Sequence, residues 1–254
     1  MFPLQRMGFD VIAVNTVQFS NHTGYAAWKG DIFSKEHIEN ILTGLEEHGA
    51  LKDISAVLTG YLGDAGLGAL VLDTVTEIKK DNKTLRYICD PVMGDVGRGV
   101  FVKDDLPPFF KSLAVPAADI ITPNQFELSL LTGRDITSLE SVTAACEMLH
   151  ENGPDIILVT SLITEETKED EIQMLVSEKG AGYDIVTTPK IHLNPAPNGS
   201  GDLTAALFAG HLIAGQNSKQ ALHATSASVY KTFEQTEKAG SRELALIQSQ
   251  DYFK

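Results

Sequence analysis

Cysteine is nearly missing from this 254-residue chain, which holds two, Cys89 and Cys146, in no CxxC or Cys/His spacing. A disulfide framework and a cysteine zinc site are excluded, and both thiols are expected as small buried residues in a reducing compartment. Basic residues are scarce as well: 20 Lys and Arg against 34 Asp and Glu leave a formal net charge of -14. Nucleic acid and anionic lipid surfaces select a basic footprint, so neither is an expected partner. Long apolar runs are absent. The longest, Ala205 to Ala214, is broken by His211 and falls short of the roughly 20 residues that span a bilayer. No signal-peptide pattern opens the sequence, and the expected location is the cytoplasm, where the sequons at Asn21, Asn82 and Asn198 carry no meaning. No GxxxxGK[ST] occurs, which excludes a Walker-type NTPase, and the histidines show no HExxH or other metal spacing.

What is present is a 43% hydrophobic chain able to bury a large core as a single domain over residues 1–254. Its segments alternate in type. Phe9 to Thr16 reads as a strand covered on both faces, and Ser34 opens a helix with Ile38, Ile41, Leu42 and Leu45 on one side. Strands follow at Ile54 to Thr59, Tyr87 to Cys89, Asp119 to Ile121 and Ile156 to Val159. Between them lie helices over Leu67 to Lys80 and from Thr137, where Thr137 and Glu140 form an expected capping box. Glu171 to Ser177 and Tyr183 to Thr187 read as a hairpin, and helices are expected after Asp202, after a Ser218 cap and near Ser241. This order predicts an α/β fold of three layers, a mostly parallel central sheet with helices on both faces. Ligands then sit beyond the carboxyl ends of the strands, where Gly60-Tyr61, Asp90, Thr122 to Asn124 and Thr160-Ser161 would gather.

Three segments carry chemistry. Asn198-Gly199-Ser200-Gly201-Asp202 puts a carboxylate where glycines free the backbone and a helix begins, a suitable place for an anion beside a base. The plainer alternative is that Asp202 only caps that helix. A dinucleotide fingerprint is excluded because residue 204 is Thr and not the third Gly. Cys89 to Asp95 sets Asp90 and Asp95 either side of a tight turn, as a magnesium site would require, or as an ordinary capped turn would. Thr122-Pro123-Asn124-x-x-Glu127 reads as a helix start with a capping box, a role compatible with ligand binding.

Together these segments resemble the ribokinase superfamily, and within it the pyridoxal kinase family. The specific part is Val14-Asn15-Thr16-Val17-Gln18-Phe19-Ser20-Asn21-His22-Thr23-Gly24-Tyr25 with Trp28-Lys29-Gly30, similar to that family's B6-binding flap. Thr59-Gly60-Tyr61, Asp90 to Asp95, Ile121 to Glu127, Val159-Thr160-Ser161 and Gly199 to Asp202 follow in family order. The resemblance implies transfer of a phosphoryl group from ATP to the 5′-hydroxymethyl of pyridoxal and related vitamers. It implies Asp202 as base and the amides of Gly199, Ser200, Gly201 and Asp202 as the anion cradle. Asp95 and Glu127 would act through Mg2+ with Asp90 nearby, and Asn124, Thr160, Thr122 and Ser161 would hold ATP phosphates. Val17, Thr23 and Tyr61 would line the pyridine ring, in a homodimer that uses a monovalent cation such as K+. The family pattern also places a strand and a glycine-containing loop ahead of the helix that here holds Phe2-Pro3-Leu4-Gln5, about twenty residues outside this sequence. A sheet without that strand would present unpaired backbone and apolar surface. Two other functions fit the same residues: a hydroxymethylpyrimidine kinase, and a B6- or nucleotide-binding protein without catalysis.

Overall fold

The computed structural model describes all residues, 1–254. Helix α1 (Phe2–Arg6) opens it, with Pro3 in the first turn, where its missing N–H costs nothing. A short antiparallel ribbon of β1 (Val17–Phe19) and β2 (Gly30–Ile32) follows, pairing Phe19 with Gly30. Gly30 has φ +136°, and a Cβ there would lie 2.0 Å from the Gln18 carbonyl oxygen, so the ribbon closes only on glycine. Helix α2 (Lys35–Glu47) is capped by Ser34 and leads to strand β3 (Ala56–Thr59). Helix α3 (Ala65–Asp81), capped by Asp64, leads to β4 (Arg86–Cys89). Two-residue strands β5 (Gly94–Asp95) and β6 (Gly99–Val100) pair with each other. Helix α4 (Leu106–Phe109), a π-helical turn (Phe110–Ala114) and α5 (Val115–Ala117) run into β7 (Ile120–Ile121). Then come α6 (Gln125–Thr132), α7 (Leu139–Glu151), β8 (Ile156–Leu162) and the hairpin of β9 (Glu171–Glu178) and β10 (Gly182–Pro189). Helices α8 (Ser200–Ile213), α9 (Ser218–Ala239) and α10 (Leu246–Ser249) complete the chain.

Six strands form the central sheet in the order β10-β9-β8-β7-β4-β3, with β8, β7, β4 and β3 parallel and the hairpin antiparallel at one end. Alternation along each strand sends side chains to two cores. Tyr87, Cys89, Ile121, Ile157 and Val159 pack with α3, α6 and α7, whereas Ile88, Ile120, Leu158 and Val176 pack with Phe208 of α8 and Leu222 of α9. The three-layer arrangement follows directly from that division. Both cysteines are free and buried. No helix is long and apolar enough to cross a membrane.

Four local expectations are corrected. Phe9 to Thr16 is no strand: residues 10–15 make no main-chain hydrogen bond, because nothing pairs with them. A strand is stable only with a neighbour to complete its ladder. Between this segment and β3, the last strand of the sheet, lies a cavity of about 640 Å³ whose lining is 23 of 31 residues hydrophobic. Ile12 of this segment is 46% exposed. Helix α7 is capped by Ser138 with Ser141, not by Thr137 with Glu140, the shorter serine side chains closing the box one residue later. Helix α9 is capped by Asn217, with Ser218 inside it, because Asn217 and Gln220 satisfy each other's amides. Ser241 starts no helix; it lies in the turn after Gly240, and α10 begins at Leu246.

Candidate active site

Asp90, Thr122, Asn124, Glu127, Thr160 and Asp202 lie close together at the carboxyl edge of the parallel strands, whereas Val17 and Thr23 lie on the β1–β2 ribbon and its tip. Gly199, in the left-handed region at φ +88°, is the N-cap of α8. The amides of Ser200, Gly201 and Asp202 find no acceptor in the chain; the first to do so is Leu203, which donates to the Gly199 carbonyl at 3.0 Å. Three open N–H groups stand at the positive end of a 14-residue helix, where an anion would be stabilised. Asp202 is therefore not the cap. It is the third residue of the helix, and its carboxylate accepts no hydrogen bond from the protein.

That carboxylate bridges elements distant in sequence. A Cβ built on Gly60, just past β3, would be 3.5 Å from Asp202 Oδ1, and one on Gly199 3.9 Å from Oδ2. The glycines leave that space to a ligand. Although Asp202 opens to solvent at the cleft mouth, the protein around it desolvates its charged form and raises its pKa, with His22 opposing the shift. A Cβ on Gly201 would be 4.0 Å from Oδ2 of Asp90, at the end of β4, which places the two carboxyl groups either side of the cradle.

Asp90 is 5% exposed and accepts the Thr122 hydroxyl at 2.9 Å. Burial, and then the charges of Glu127 and Asp202, push its pKa upward. Glu127, also buried, accepts from the Asn124 amide at 2.9 Å and from the Met93 amide at 2.9 Å, while Asn124 caps α6 and donates its side-chain amide to the Gly94 carbonyl at 2.8 Å. The expected capping box is real, and it also ties α6 to the Asp90 to Asp95 loop. Burial outweighs the amides and pushes the Glu127 pKa up to about 7. Gly94 is fixed there by contact, since a Cβ would lie 2.4 Å from the Phe126 ring and 2.5 Å from the Gly99 carbonyl oxygen. Asp95 accepts the Val96 amide at 2.7 Å.

Thr160 is buried and bridges to Asn124, donating its amide to the Pro123 carbonyl at 2.9 Å. Ser161 follows with φ +51°, at a bulge between Val159 and Leu162 that turns its exposed side chain out of the β8 register. Tyr61 is half-buried, and its carbonyl accepts the Thr16 hydroxyl at 3.1 Å. Val17 is half-buried at the base of the β1–β2 ribbon, and Thr23 is exposed in the 20–29 tip between those strands. No three His, Cys, Asp or Glu side chains converge as a ready metal cage. The sequence did not point to Arg98, whose guanidinium packs against Gly24, or to the 241–245 turn, which packs against both Gly199 and Tyr25. Neither carries a local motif; only the folded chain brings them there.

The α/β fold with its mostly parallel central sheet is that of the ribokinase superfamily. The family described as Phosphomethylpyrimidine kinase matches residues 7–246. Among individual proteins, the chain is 44% identical over 252 residues to pyridoxal kinase PdxY of Rubrobacter xylanophilus, covering 99% of this chain and 86% of that one. Pyridoxal kinase from Entamoeba histolytica superposes with a TM-score of 0.91 at 31% identity, covering 100% of this chain and 88% of that one. Pyridoxal kinase from Leishmania donovani, solved in complex with ADP and pyridoxamine, gives 0.91 at 29% identity, covering 99% and 88%. The chain belongs to the pyridoxal kinase family.

Proposed function

We propose that this protein phosphorylates the hydroxymethyl group of pyridoxal and related B6 vitamers with ATP. The observation that carries the reading is the Asp202 carboxylate, free of protein hydrogen bonds, beside three free amides at the start of α8. In the reaction the vitamer oxygen bonds to the γ-phosphorus, the β–γ bridge breaks to release ADP, and the hydroxyl proton passes to Asp202. The amides of Gly199, Ser200, Gly201 and Asp202 stabilise the charge on the transferring group. A raised pKa makes Asp202 a stronger base than an ordinary carboxylate.

Asn124, Thr122, Thr160 and Ser161 are assigned to the ATP phosphates, and Val17, Thr23 and Tyr61 to the vitamer ring. Mg2+ fits the remaining residues: Asp90 and Glu127 concentrate buried negative charge that a cation would relieve, and magnesium takes one or two carboxylates with water and phosphate supplying the rest. Asp90, Asp95 and Glu127 would hold it, directly or through water, and it would neutralise phosphate charge. A monovalent cation, a homodimer and a cytoplasmic location belong to the same reading, the last supported by two free buried thiols. So does action by residues 1–254 as one domain.

The experiment is a coupled assay of ADP formation with pyridoxal, pyridoxine, pyridoxamine and hydroxymethylpyrimidine. Asp202→Asn should lower kcat by about a thousandfold or more, and the acid limb of kcat/KM should lie above the usual carboxylate range. Undiminished turnover in that variant refutes the base. The name of the matching family favours a second reading, a hydroxymethylpyrimidine kinase; preference for the pyrimidine in competition would establish it. Binding of vitamer and ATP without turnover would overturn both.

A further inference from the structure

Arg98 stands beside the site with no partner of opposite charge. It sits in the turn between β5 and β6, flanked by Gly97 and Gly99, both in the left-handed region at φ +78° and +70°. Its amide donates to the Asp95 carbonyl at 3.1 Å, which closes the turn. The base of that hairpin is tied to the site: the Asn124 side chain donates to the Gly94 carbonyl at 2.8 Å, and the Phe101 amide donates to the Met93 carbonyl at 3.0 Å. The contacts that place Asp95 therefore place residue 98 as well.

The guanidinium has a seat of its own. Its central carbon lies 5.2 Å from the centroid of the Phe101 ring, a cation–π contact. A Cβ on Gly24 would lie 3.1 Å from Arg98 Nη2 and 3.0 Å from His22 Nδ1, so arginine and histidine share the room that this glycine leaves. His22 Nδ1 already accepts the Gly24 amide at 2.9 Å. No carboxylate pairs with Arg98, although the chain carries 34 Asp and Glu against 20 Lys and Arg. Its donor fork is thus seated and still open. Burial lowers the His22 pKa and the Arg98 charge lowers it further, against the opposing charges of Asp202 and Glu243, so His22 stands in the field of both the arginine and the base.

We propose that Arg98 is a further phosphate-binding residue of this site: its guanidinium pairs with the non-bridging oxygens of the phosphoryl group passing to the vitamer, and with those of the 5′-phosphate that results. This rests on the kinase reading. A planar guanidinium fork matches phosphate oxygens two at a time. The hairpin of Arg98 carries Asp95, assigned to magnesium on the donor side, and Gly24 adjoins Thr23, assigned to the vitamer ring. Arg98 lies where those two elements meet. An anion entering a site that holds Asp90, Asp95, Glu127 and Asp202 is repelled by carboxylate charge, and an unpaired cation offsets that repulsion. Arg98 makes no covalent bond. The vitamer oxygen bonds to the γ-phosphorus, the β–γ bridge breaks, the proton passes to Asp202, and the guanidinium stabilises charge on the transferring oxygens.

The variants are Arg98→Ala and Arg98→Lys. Residue 98 is exposed, so the far-UV circular dichroism and urea midpoint of both should match the unsubstituted protein. Dissociation constants for pyridoxal and for pyridoxal 5′-phosphate are measured by equilibrium dialysis without nucleotide. In Arg98→Ala the phosphate ester should bind about tenfold more weakly or worse, with pyridoxal changed by less than about twofold. kcat should fall by about tenfold or more at nearly constant KM for pyridoxal, with Arg98→Lys between the two because it keeps the charge and loses the fork. Free guanidinium ion, well below denaturing concentration, should restore part of the lost kcat in Arg98→Ala alone. Unchanged affinity for the phosphate ester in Arg98→Ala overturns the assignment, and so does equal weakening of both ligands, which marks a structural role. Absence of turnover in the unsubstituted protein would count against the kinase reading alone, since the dialysis comparison does not depend on turnover.

Discussion

Glu127 accepts the Met93 amide at 2.9 Å across 34 residues of sequence, joining the helix α6 start to the loop that carries Asp90 and Asp95. With its other oxygen on the Asn124 amide, one carboxylate fixes two strand ends relative to each other.

Removing it leaves buried donors without partners. Glu127→Ala should destabilise the fold by about 3 kcal/mol, since each unsatisfied buried group costs about 1–3 kcal/mol, and Glu127→Gln by less because one acceptor survives. Urea denaturation of both variants checks the order. Equal stability of Glu127→Ala and the unsubstituted protein would show that the two amides find other partners.

The same group gives stability a pH dependence. Its folded pKa, about 7, lies above the ordinary 4.5, so the folded state holds a proton that the unfolded state has lost between those values. The contribution is complete below about pH 4.5 and disappears as pH rises through 7, a change of about 3 kcal/mol at about 1.4 kcal/mol per pKa unit. Asp90, raised in the same direction, adds to it. Urea midpoints at pH 5 and pH 8 should fall with pH, and the slope should flatten in Glu127→Gln. A midpoint that rises over that interval contradicts the assignment.

The unpaired segment predicts an uneven pattern of amide exchange. Residues 10–15 make no main-chain hydrogen bond, whereas β8 is paired on both sides. Deuterium should enter 10–15 at nearly the free-peptide rate and β8 more slowly by about four powers of ten or more, the range separating open loops from core strands. Protection of Asp10 to Asn15 comparable with β8 would mean that the segment has found a partner strand.

Most of this was readable along the chain. The α/β alternation, the hairpin, the parallel strands and the Asn124–Glu127 capping box depend on periodicity and on neighbours three or four residues away, which sequence displays directly. Phe9 to Thr16 shows the limit: its composition suits a strand, but pairing is a property of two segments, and its free backbone faces a cavity. Asp202 read equally well as cap or base until the fold assigned the cap to Gly199. The partners of Tyr25 could not be read at all, because residues 25 and 243 meet only through the packing of α9 on the sheet.

Apart from Phe9 to Thr16 and the short β1–β2 and β5–β6 ribbons, the order and type of the main secondary elements, their apolar faces and the glycine-flanked carboxylate at 202 were determined by sequence alone, since backbone propensity and side-chain period are local. Tertiary structure decided which carboxylates share a cleft, which amides stay free for an anion, and which way the pKa values of Asp90, Glu127 and Asp202 move. Those outcomes depend on burial and on charges brought together from distant strands, and desolvation has no value until the chain has closed around the group.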